Sequence, residues 1–241
     1  MRKPARVAGG GIEEREMRGY VICGERRSGS NYLCSLLAST GVLGVPTEYF
    51  SVEAMIRRGI ADYPDDPESQ FQMLIKLGTT PNDVYGFKLH AVEFDQSKMI
   101  RWVERLPSLA FAYLERRDIL GQAISWVRAS QTFQWVSYHE RQGEPVYHRD
   151  RIDLAIQTIL TRQKRWQLYF ARNGITPIYL VYEHLAQSPQ AAVEAIGRVV
   201  GLSEKPVVDF SQVRFEIQRD ALTDEWRHRY LADSRDYSRF D

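Results

Sequence analysis

Apolar runs and amphipathic stretches alternate along most of the chain. Four short runs, rich in β-branched or aromatic residues and bounded by turn residues or charges, predict buried strands at 20–23, 84–89, 109–115 and 177–182. Helical periodicity between them predicts helices at 30–40, 70–77, 95–106, 119–129, 154–172 and 189–200. Alternation of this kind favours parallel strands joined by right-handed crossovers. We therefore expect an α/β fold of three layers, with a central, mostly parallel sheet flanked by helices.

Two regions depart from this pattern. Residues 130–151 are rich in aromatic and histidine side chains without a regular period, and residues 221–241 begin as a helix and end polar and aromatic. Segments of this kind often form lids, acceptor walls or subunit contacts. Residues 1–19 contain several charges and three consecutive glycines, but not the apolar core of a signal peptide. We expect a flexible leader at 1–19 and a single domain at 20–241.

The composition is ordinary for a globular protein and excludes several functions. Of the 241 residues 44% are hydrophobic and 26% are charged, and the formal charge of +1 argues against a generic nucleic-acid binder. Cys23 and Cys34 have neither a metal-ligand spacing nor a disulfide pattern. No apolar run approaches the length that spans a bilayer. We expect a cytoplasmic protein with no nucleic-acid partner, no metal and no integral membrane segment.

The stretch GERRSGSN, residues 24–31, has the glycine spacing of a phosphate-binding loop. Four residues separate Gly24 from Gly29, but Ser30 stands where a lysine would reach a nucleotide's outer phosphates, and Asn31 where a hydroxyl would hold magnesium. A strand that ends at Gly24 and a helix that begins near Ser30 would surround a small concavity with free backbone N–H groups. A sharp strand-to-helix turn without a ligand would show the same glycines.

The side chains of this loop favour an anion. Ser28 and Ser30 offer hydroxyl donors, and Arg26 and Arg27 add charges whose bidentate geometry suits phosphate or sulfate oxygens. The loop is therefore a candidate site for a phosphate or a sulfate.

A second candidate anion site is the run ERRDILGQAISW at 115–126. It leaves a predicted strand and enters a predicted helix, so it again presents backbone N–H groups and arginines. The alternative is a solvated helix start, with Asp118 as its cap.

Several motifs carry a family resemblance. The pieces RRSGSNYL, VPTEYF and LERRDILGQAISWVRA, with weaker matches FKLH, YEHL and QRDALTDEWRHRY in the same order, resemble the bacterial carbohydrate sulfotransferases of the trehalose 2-sulfotransferase type. The resemblance implies a P-loop-like fold and the sulfuryl donor 3′-phosphoadenosine 5′-phosphosulfate as co-substrate. It further implies metal-free transfer to a carbohydrate or glycolipid hydroxyl, and makes a homodimer plausible.

The resemblance assigns roles to the two anion sites. Arg27 stands where related enzymes carry a basic residue beside the bridging oxygen, which implies that it stabilises the leaving group. Arg117 and Ser125, eight positions apart, match the pair that holds the donor's 3′-phosphate, and Arg219 is a third, weaker candidate. The residues expected to bind the donor are Arg26, Arg27, Ser28, Gly29, Ser30, Asn31, Arg117, Ser125 and Arg219.

Glu48 is the candidate general base. A sugar hydroxyl that attacks sulfur must lose a proton to a carboxylate or an imidazole, and the resemblance places the family's proposed base glutamate at Glu48, within PTEYF. The alternative is a surface glutamate paired with Arg57 or Arg58. A glutamate is already ionised at neutral pH, and a modest upward shift of its pKa would strengthen it as a base.

His90 is a rival base. It ends the predicted strand GFKLH, where residues of a parallel sheet face the ligand crevice. Alternatives are that it contacts the acceptor or merely satisfies the strand end, and Lys88 on the same strand is as readily structural.

Aromatic residues near 130–151 are candidates for the acceptor wall. Sugar rings pack their C–H patches on aromatic faces while their hydroxyls bind polar neighbours. Trp126, Trp135 and Tyr138 suit this role, and equally suit the core or a dimer contact.

Two competing functions remain open from the residues alone. A small-molecule kinase with a degenerate phosphate loop would bind ATP and depend on magnesium. A catalytically inactive nucleotide-binding protein would bind the bisphosphate nucleotide without transfer.

Overall fold

Four parallel strands form the centre of the fold in a computed structural model, which describes residues 16–136, 140–213 and 220–234. The strands are β1 Arg18–Gly24, β2 Val84–Leu89, β3 Leu109–Glu115 and β4 Ile178–Val181, in the order β2-β1-β3-β4. β1 pairs in parallel with β2 and β3, and β3 pairs in parallel with β4. The carboxyl ends of all four strands therefore lie at one edge of the sheet, where ligands bind in folds of this kind.

Helices connect and cover these strands. They are α1 Ser30–Ser39, α2 Val52–Arg57, α3 Pro67–Gly78, α4 Ala91–Ser97, α5 Trp102–Arg105, α6 Ile119–Thr132, α7 Arg149–Asn173, α8 Tyr182–Gln187, α9 Pro189–Val199 and α10 Ala221–Ser234. Among the described residues, no helix is both long and apolar enough to cross a membrane.

Alternate residues of the strands point into two different apolar layers. Tyr20 and Ile22 of β1 pack with buried residues of α1 and α9, whereas Val21 and Cys23 face the opposite, aromatic-rich layer. Burying a large apolar side chain contributes about 1.5–3 kcal/mol each, so both faces of the sheet stabilise the fold. The aromatic layer includes Phe71, Phe87, Trp102, Phe111, Tyr113, Trp166 and Phe170.

The predicted three-layer α/β fold is confirmed, with corrections to single elements. The strands predicted at 84–89 and 109–115 have the predicted bounds. The helix predicted at 95–106 is wrong, because the chain forms α4, a single 3-10 turn at Lys98–Ile100 and then α5, with Arg101 between them at φ 52°. The two six-residue helices α2 and α8 were not predicted, since one and a half turns show little periodicity.

The irregular region predicted at 130–151 is shorter than expected. α6 continues to Thr132 and α7 begins at Arg149, so the non-helical part lies between them. The helix expected at the start of the tail is present as α10. Of the candidate site residues, Tyr138 and Arg219 lie outside the described residues.

Candidate functional site

The loop between β1 and α1, residues 24–31, is the donor loop of the sequence-based hypothesis, and its glycines have a physical reason. Gly29 has φ 90°, which L side chains rarely adopt, and a Cβ there would lie 2.3 Å from Cδ2 of Tyr182. A Cβ at Gly24 would lie 2.6 Å from the carbonyl oxygen of Leu114. The two glycines therefore let the loop turn sharply from the sheet edge into α1. Gly29 provides no side-chain cap, so the first amides of the helix remain available to an anion.

The serines of the donor loop fit an anionic ligand. Ser28 and Ser30 are both buried. The Oγ atom of Ser28 has no hydrogen-bond partner among the described residues. A buried hydroxyl without a partner costs about 1–3 kcal/mol, and a phosphate or sulfate oxygen in the loop would remove that cost.

Arg27 joins the donor loop to two other elements. Its Nε donates to Oγ of Ser125 in α6 at 2.8 Å, and its Nη1 donates to the carbonyl oxygen of Trp135 at 2.5 Å. Burial, reinforced by the nearby charges of Arg116 and Arg128, lowers the pKa of Arg27 to about 10. The guanidinium remains charged at neutral pH, in surroundings where additional negative charge would be favourable. The structure thus brings Arg27 and Ser125, from the two predicted anion sites, into direct contact.

The surroundings of Arg117 differ from those of Ser125, whose hydroxyl accepts a hydrogen bond from Arg27. Arg117 is exposed, and its backbone N–H donates to Oε2 of Glu183 at 3.2 Å. The neighbouring Asp118 caps α6 by accepting a hydrogen bond from the backbone N–H of Gly121 at 3.0 Å. The Asp118 cap, which the alternative interpretation of this run as a solvated helix start predicts, is therefore present.

Two arginines that sequence reasoning did not select converge on Asp118. Nη2 of Arg227, from α10, lies 2.5 Å from Oδ2 of Asp118, and Nη2 of Arg116 lies 3.4 Å from the same oxygen. The Nε atoms of both arginines are buried, with no hydrogen-bond partner in the described parts of the chain. One carboxylate thus faces two guanidinium groups with unused donors, which is a suitable setting for a further anion. Arg116 lies within the run ERRDILGQAISW, whereas only the packing of α10 reveals Arg227.

Glu48 is placed at the same edge of the sheet by β2. The backbone N–H of Lys88 donates to the carbonyl oxygen of Thr47 at 2.9 Å, which fixes the segment next to the strand. The ammonium group of Lys88 then lies 2.7 Å from Oε1 of Glu48 and also donates to Oδ1 of Asn31 in α1. Lys88 therefore connects the donor loop to the candidate base.

The charge on Glu48 is strongly stabilised. Burial alone would raise its pKa, but the charges of Lys88 and His90 outweigh burial and lower the pKa to about 2. The pKa of Glu48 is therefore lowered, whereas a stronger base would need a raised pKa. The surface pair considered with Arg57 does not form, because Arg57 pairs with Glu53.

His90 lies between two carboxylates. Its Nδ1 is 3.6 Å from Oε1 of Glu48 and 3.4 Å from Oε2 of Glu93, although neither contact has good hydrogen-bond geometry. Its Nε2 is buried with no partner among the residues described. Glu93, which the sequence did not single out, also contacts the donor loop, since Nη2 of Arg26 lies 3.2 Å from its Oε1. The two candidate bases, His90 and Glu48, therefore lie next to each other.

A groove of about 810 Å³ lies between α2 and the segment that follows α6. Trp135 lines it, and the guanidinium carbon of Arg26 lies 5.6 Å from the centre of the Trp135 ring. Trp126 does not line this groove and packs instead beside the apolar cluster of α6, α7 and α10. The core alternative therefore suits Trp126, whereas Trp135 remains a candidate for the acceptor wall. The lining residues are Val52, Glu53, Ile56, Arg57, Phe133, Trp135, Glu140 and Gln142.

Comparisons with known proteins identify the family of the chain. The family model described as Stf0 sulphotransferase matches residues 19–233. The chain is 27% identical to a trehalose 2-sulfotransferase of Mycobacterium tuberculosis, with 91% of this chain and 97% of the relative covered. It is also 27% identical to a trehalose 2-sulfotransferase of Mycolicibacterium smegmatis, with 89% and 95% covered.

One solved structure has a weaker similarity to this chain. It is the sulfotransferase domain from a Synechococcus olefin synthase, at 14% identity and a TM-score of 0.47, with 90% of each chain covered. The family match instead rests on the sequence and spans nearly the whole described chain. The chain belongs to the Stf0 sulfotransferase family.

Proposed function

We propose that this sulfotransferase moves a sulfuryl group from 3′-phosphoadenosine 5′-phosphosulfate to a hydroxyl of a carbohydrate or glycolipid. The proposal rests on one observation above all, the contact of Arg27 in the donor loop with Ser125 in α6. A nucleotide with phosphates on both its 5′ and 3′ positions needs two anion sites that lie close together. A loop that ends in Ser30 and Asn31 lacks the side chains for a magnesium-bound triphosphate.

The donor loop would hold the phosphosulfate. Its backbone N–H groups, the unpartnered hydroxyl of Ser28 and the side chain of Ser30 supply donors, and Arg26 and Arg27 supply charge. Gly29 leaves the space in which the backbone approaches the ligand, and Asn31 positions Lys88. The 3′-phosphate would bind near Ser125 and the cluster of Arg116 and Arg227, with Arg117 and Arg219 as further candidates.

The reaction would be a direct in-line displacement. The acceptor oxygen forms a bond to sulfur while the bond from sulfur to the bridging phosphate oxygen breaks, and adenosine 3′,5′-bisphosphate leaves. Arg27 stabilises the charge that develops on the leaving oxygen, and Glu48 receives the proton of the hydroxyl. Positioning and charge stabilisation supply most of the rate enhancement in transfers of this type. That the transfer needs no metal stays a prediction.

The low pKa of Glu48 limits when it acts as a base. A carboxylate with a pKa of about 2 holds a proton only weakly, so the proton must pass onward or Lys88 must shift as the substrates bind. His90, 3.6 Å from Glu48, is placed to share the proton. We therefore treat Glu48 and His90 as one proton-accepting pair.

The acceptor would occupy the groove beside Trp135. The ring offers an apolar face for sugar C–H groups, and Glu53, Glu140 and Gln142 offer polar partners for hydroxyls. The relatives are trehalose 2-sulfotransferases, which supports a sugar acceptor here. A homodimer and a cytoplasmic location stay predictions.

Calorimetric titration tests the donor assignment. We expect adenosine 3′,5′-bisphosphate to bind without added metal, and ATP with magnesium to bind much more weakly. Tighter binding of ATP with magnesium would favour a kinase and contradict the proposal. Nucleotide binding without transfer to any sugar would favour an inactive nucleotide-binding protein.

A further inference from the structure

Glu93 is a buried carboxylate that touches both halves of the proposed site. It lies in the first turn of α4 and is 2% exposed. Its Oε1 lies 3.2 Å from Nη2 of Arg26 in the donor loop, and its Oε2 lies 3.4 Å from Nδ1 of His90. The two oxygens of one side chain thus face the donor loop and the proton-accepting pair.

A role in helix stability does not account for this arrangement. An acidic residue in the first turn of a helix interacts favourably with the helix dipole, but a solvent-exposed carboxylate would do so at lower cost. Burying a carboxylate is unfavourable unless charged partners compensate for lost hydration. Despite burial, His90 and Arg26 lower the pKa of Glu93, so it is ionised between its two partners.

The donor loop holds the start of α4 at a second point. Oε1 of Glu25, the residue before Arg26, accepts a hydrogen bond from the backbone N–H of Ala91 at 3.3 Å. The backbone of Arg26 is itself fixed, because Nε2 of Gln122 donates to its carbonyl oxygen at 2.8 Å. A change in the loop that moves the side chain of Arg26 would therefore change its contact with Glu93.

We propose that Glu93 is a positioning residue that couples donor binding to the orientation of His90 beside Glu48. This inference rests on the proposed function, because it takes the anion in the loop to be the sulfuryl donor. The N–H of Arg26 Nη2 that faces Glu93 cannot serve a bound donor at the same time. When the donor draws Arg26 toward itself, Glu93 interacts with His90 alone and fixes the orientation of the imidazole, whose Nδ1 also faces Glu48.

The coupling predicts that Glu93→Gln loses turnover without losing affinity for the nucleotide. Arg26 loses its competing charge, so adenosine 3′,5′-bisphosphate should bind as tightly as to the wild type or up to about 10-fold more tightly. His90 loses its charged partner, so kcat at saturating donor should fall about 10-fold or more. A purely structural role would instead weaken binding and turnover together.

Asp95→Asn is the matched control on the same helix. Asp95 is on the solvent side of α4 and pairs with Arg165 at 2.7 Å, so its Kd and kcat should match those of the wild type. Glu93→Asp, which keeps the charge, should recover part of the lost turnover. Parallel losses of affinity and turnover in Glu93→Gln, or no change in either, would overturn the coupling.

Hydrogen exchange on the wild-type protein gives an answer even when Glu93→Gln does not fold. Saturation with adenosine 3′,5′-bisphosphate should change the exchange of backbone amides in residues 91–97, and the amides of β4 should serve as a reference. Unchanged exchange in 91–97 with the nucleotide bound would overturn the coupling but not the proposed function. Failure of the wild type to bind the nucleotide would overturn both.

Discussion

Nε of Arg27 donates a hydrogen bond to Oγ of Ser125 across 2.8 Å, although 98 positions separate the two residues in the sequence. This contact joins the loop after β1 to the first half of α6, two places where a strand end leads into a helix. It also places the guanidinium next to Trp135, which lines the groove proposed for the acceptor. Arg27 therefore stands where donor and acceptor would meet.

Removing the guanidinium of Arg27 should impair chemistry more than folding. We expect Arg27→Ala to lower kcat about 10²–10³-fold, the usual loss when a donor to a developing oxyanion is removed. Steady-state kinetics at saturating donor would measure the change. Arg27→Lys keeps a charge at this position and should lose less activity. Equal kcat values for wild type and Arg27→Ala would exclude leaving-group stabilisation by this residue.

Glu48→Gln tests the proton acceptor. If proton transfer limits the rate, kcat should fall about 10²–10⁴-fold while the Kd for adenosine 3′,5′-bisphosphate stays within a few-fold of wild type. Glu68→Gln is a suitable control, since Glu68 is exposed and pairs with Arg105 away from the donor loop. Near-normal turnover in Glu48→Gln would shift the role of base to His90.

The ion pair of Lys88 and Glu48 should make stability depend on pH. The folded-state pKa of Glu48 is lowered from 4.5 to about 2, so its contribution is present above pH 4.5 and lost as the pH falls toward 2. A shift of this size corresponds to about 3 kcal/mol in the free energy of unfolding. Urea titrations of wild type and Glu48→Gln between pH 7 and pH 3 would measure it. A constant difference between the two proteins across this range would contradict the shift.

Lys88→Met should destabilise the protein at neutral pH. It leaves the partly buried carboxylate of Glu48 without its nearest cation, a change that typically costs about 3–5 kcal/mol. Urea unfolding at pH 7 would measure the loss. Lys88→Met combined with Glu48→Gln should recover part of it, and an additive double variant would show that the pair does not interact.

Arg227→Met tests the 3′-phosphate site. Loss of one charged donor should weaken the binding of adenosine 3′,5′-bisphosphate about 10-fold or more, and leave the binding of adenosine 5′-monophosphate unchanged. Arg229→Met on the same helix is the control, because Arg229 lies against Tyr147 instead of Asp118. Equal losses for both nucleotides would place the 3′-phosphate elsewhere.

Much of the fold follows from local sequence signals. The strands 84–89 and 109–115 were predicted correctly because their apolar, β-rich runs are buried on both faces of the sheet. The helix predicted at 95–106 failed because Phe94 and Trp102 must both reach the aromatic layer, their ring centroids 5.8 Å apart. Arg101 has a left-handed backbone conformation, which interrupts the helix. The hydrophobic periodicity of the sequence does not reveal such an interruption.

The candidate site likewise contains some residues that the sequence indicates and others that only the fold reveals. The donor loop and Glu48 lie in short motifs, so the glycine spacing and the family resemblance could select them as candidates from the sequence. Glu93 and Arg227 could not, since their partners Arg26 and Asp118 lie 67 and 109 positions away and meet them only through tertiary packing. The lowered pKa of Glu48 could not be predicted from the sequence either, because it depends on where the fold places Lys88.

The most direct test is to incubate the purified protein with 3′-phosphoadenosine 5′-phosphosulfate and a panel of sugars and glycolipids, and to follow both products by mass spectrometry. We predict a sulfated acceptor and an equal amount of adenosine 3′,5′-bisphosphate, with formation of both products strongly reduced in Arg27→Ala. Bound donor that yields neither product with any acceptor, or transfer that Arg27→Ala leaves unchanged, would contradict the account.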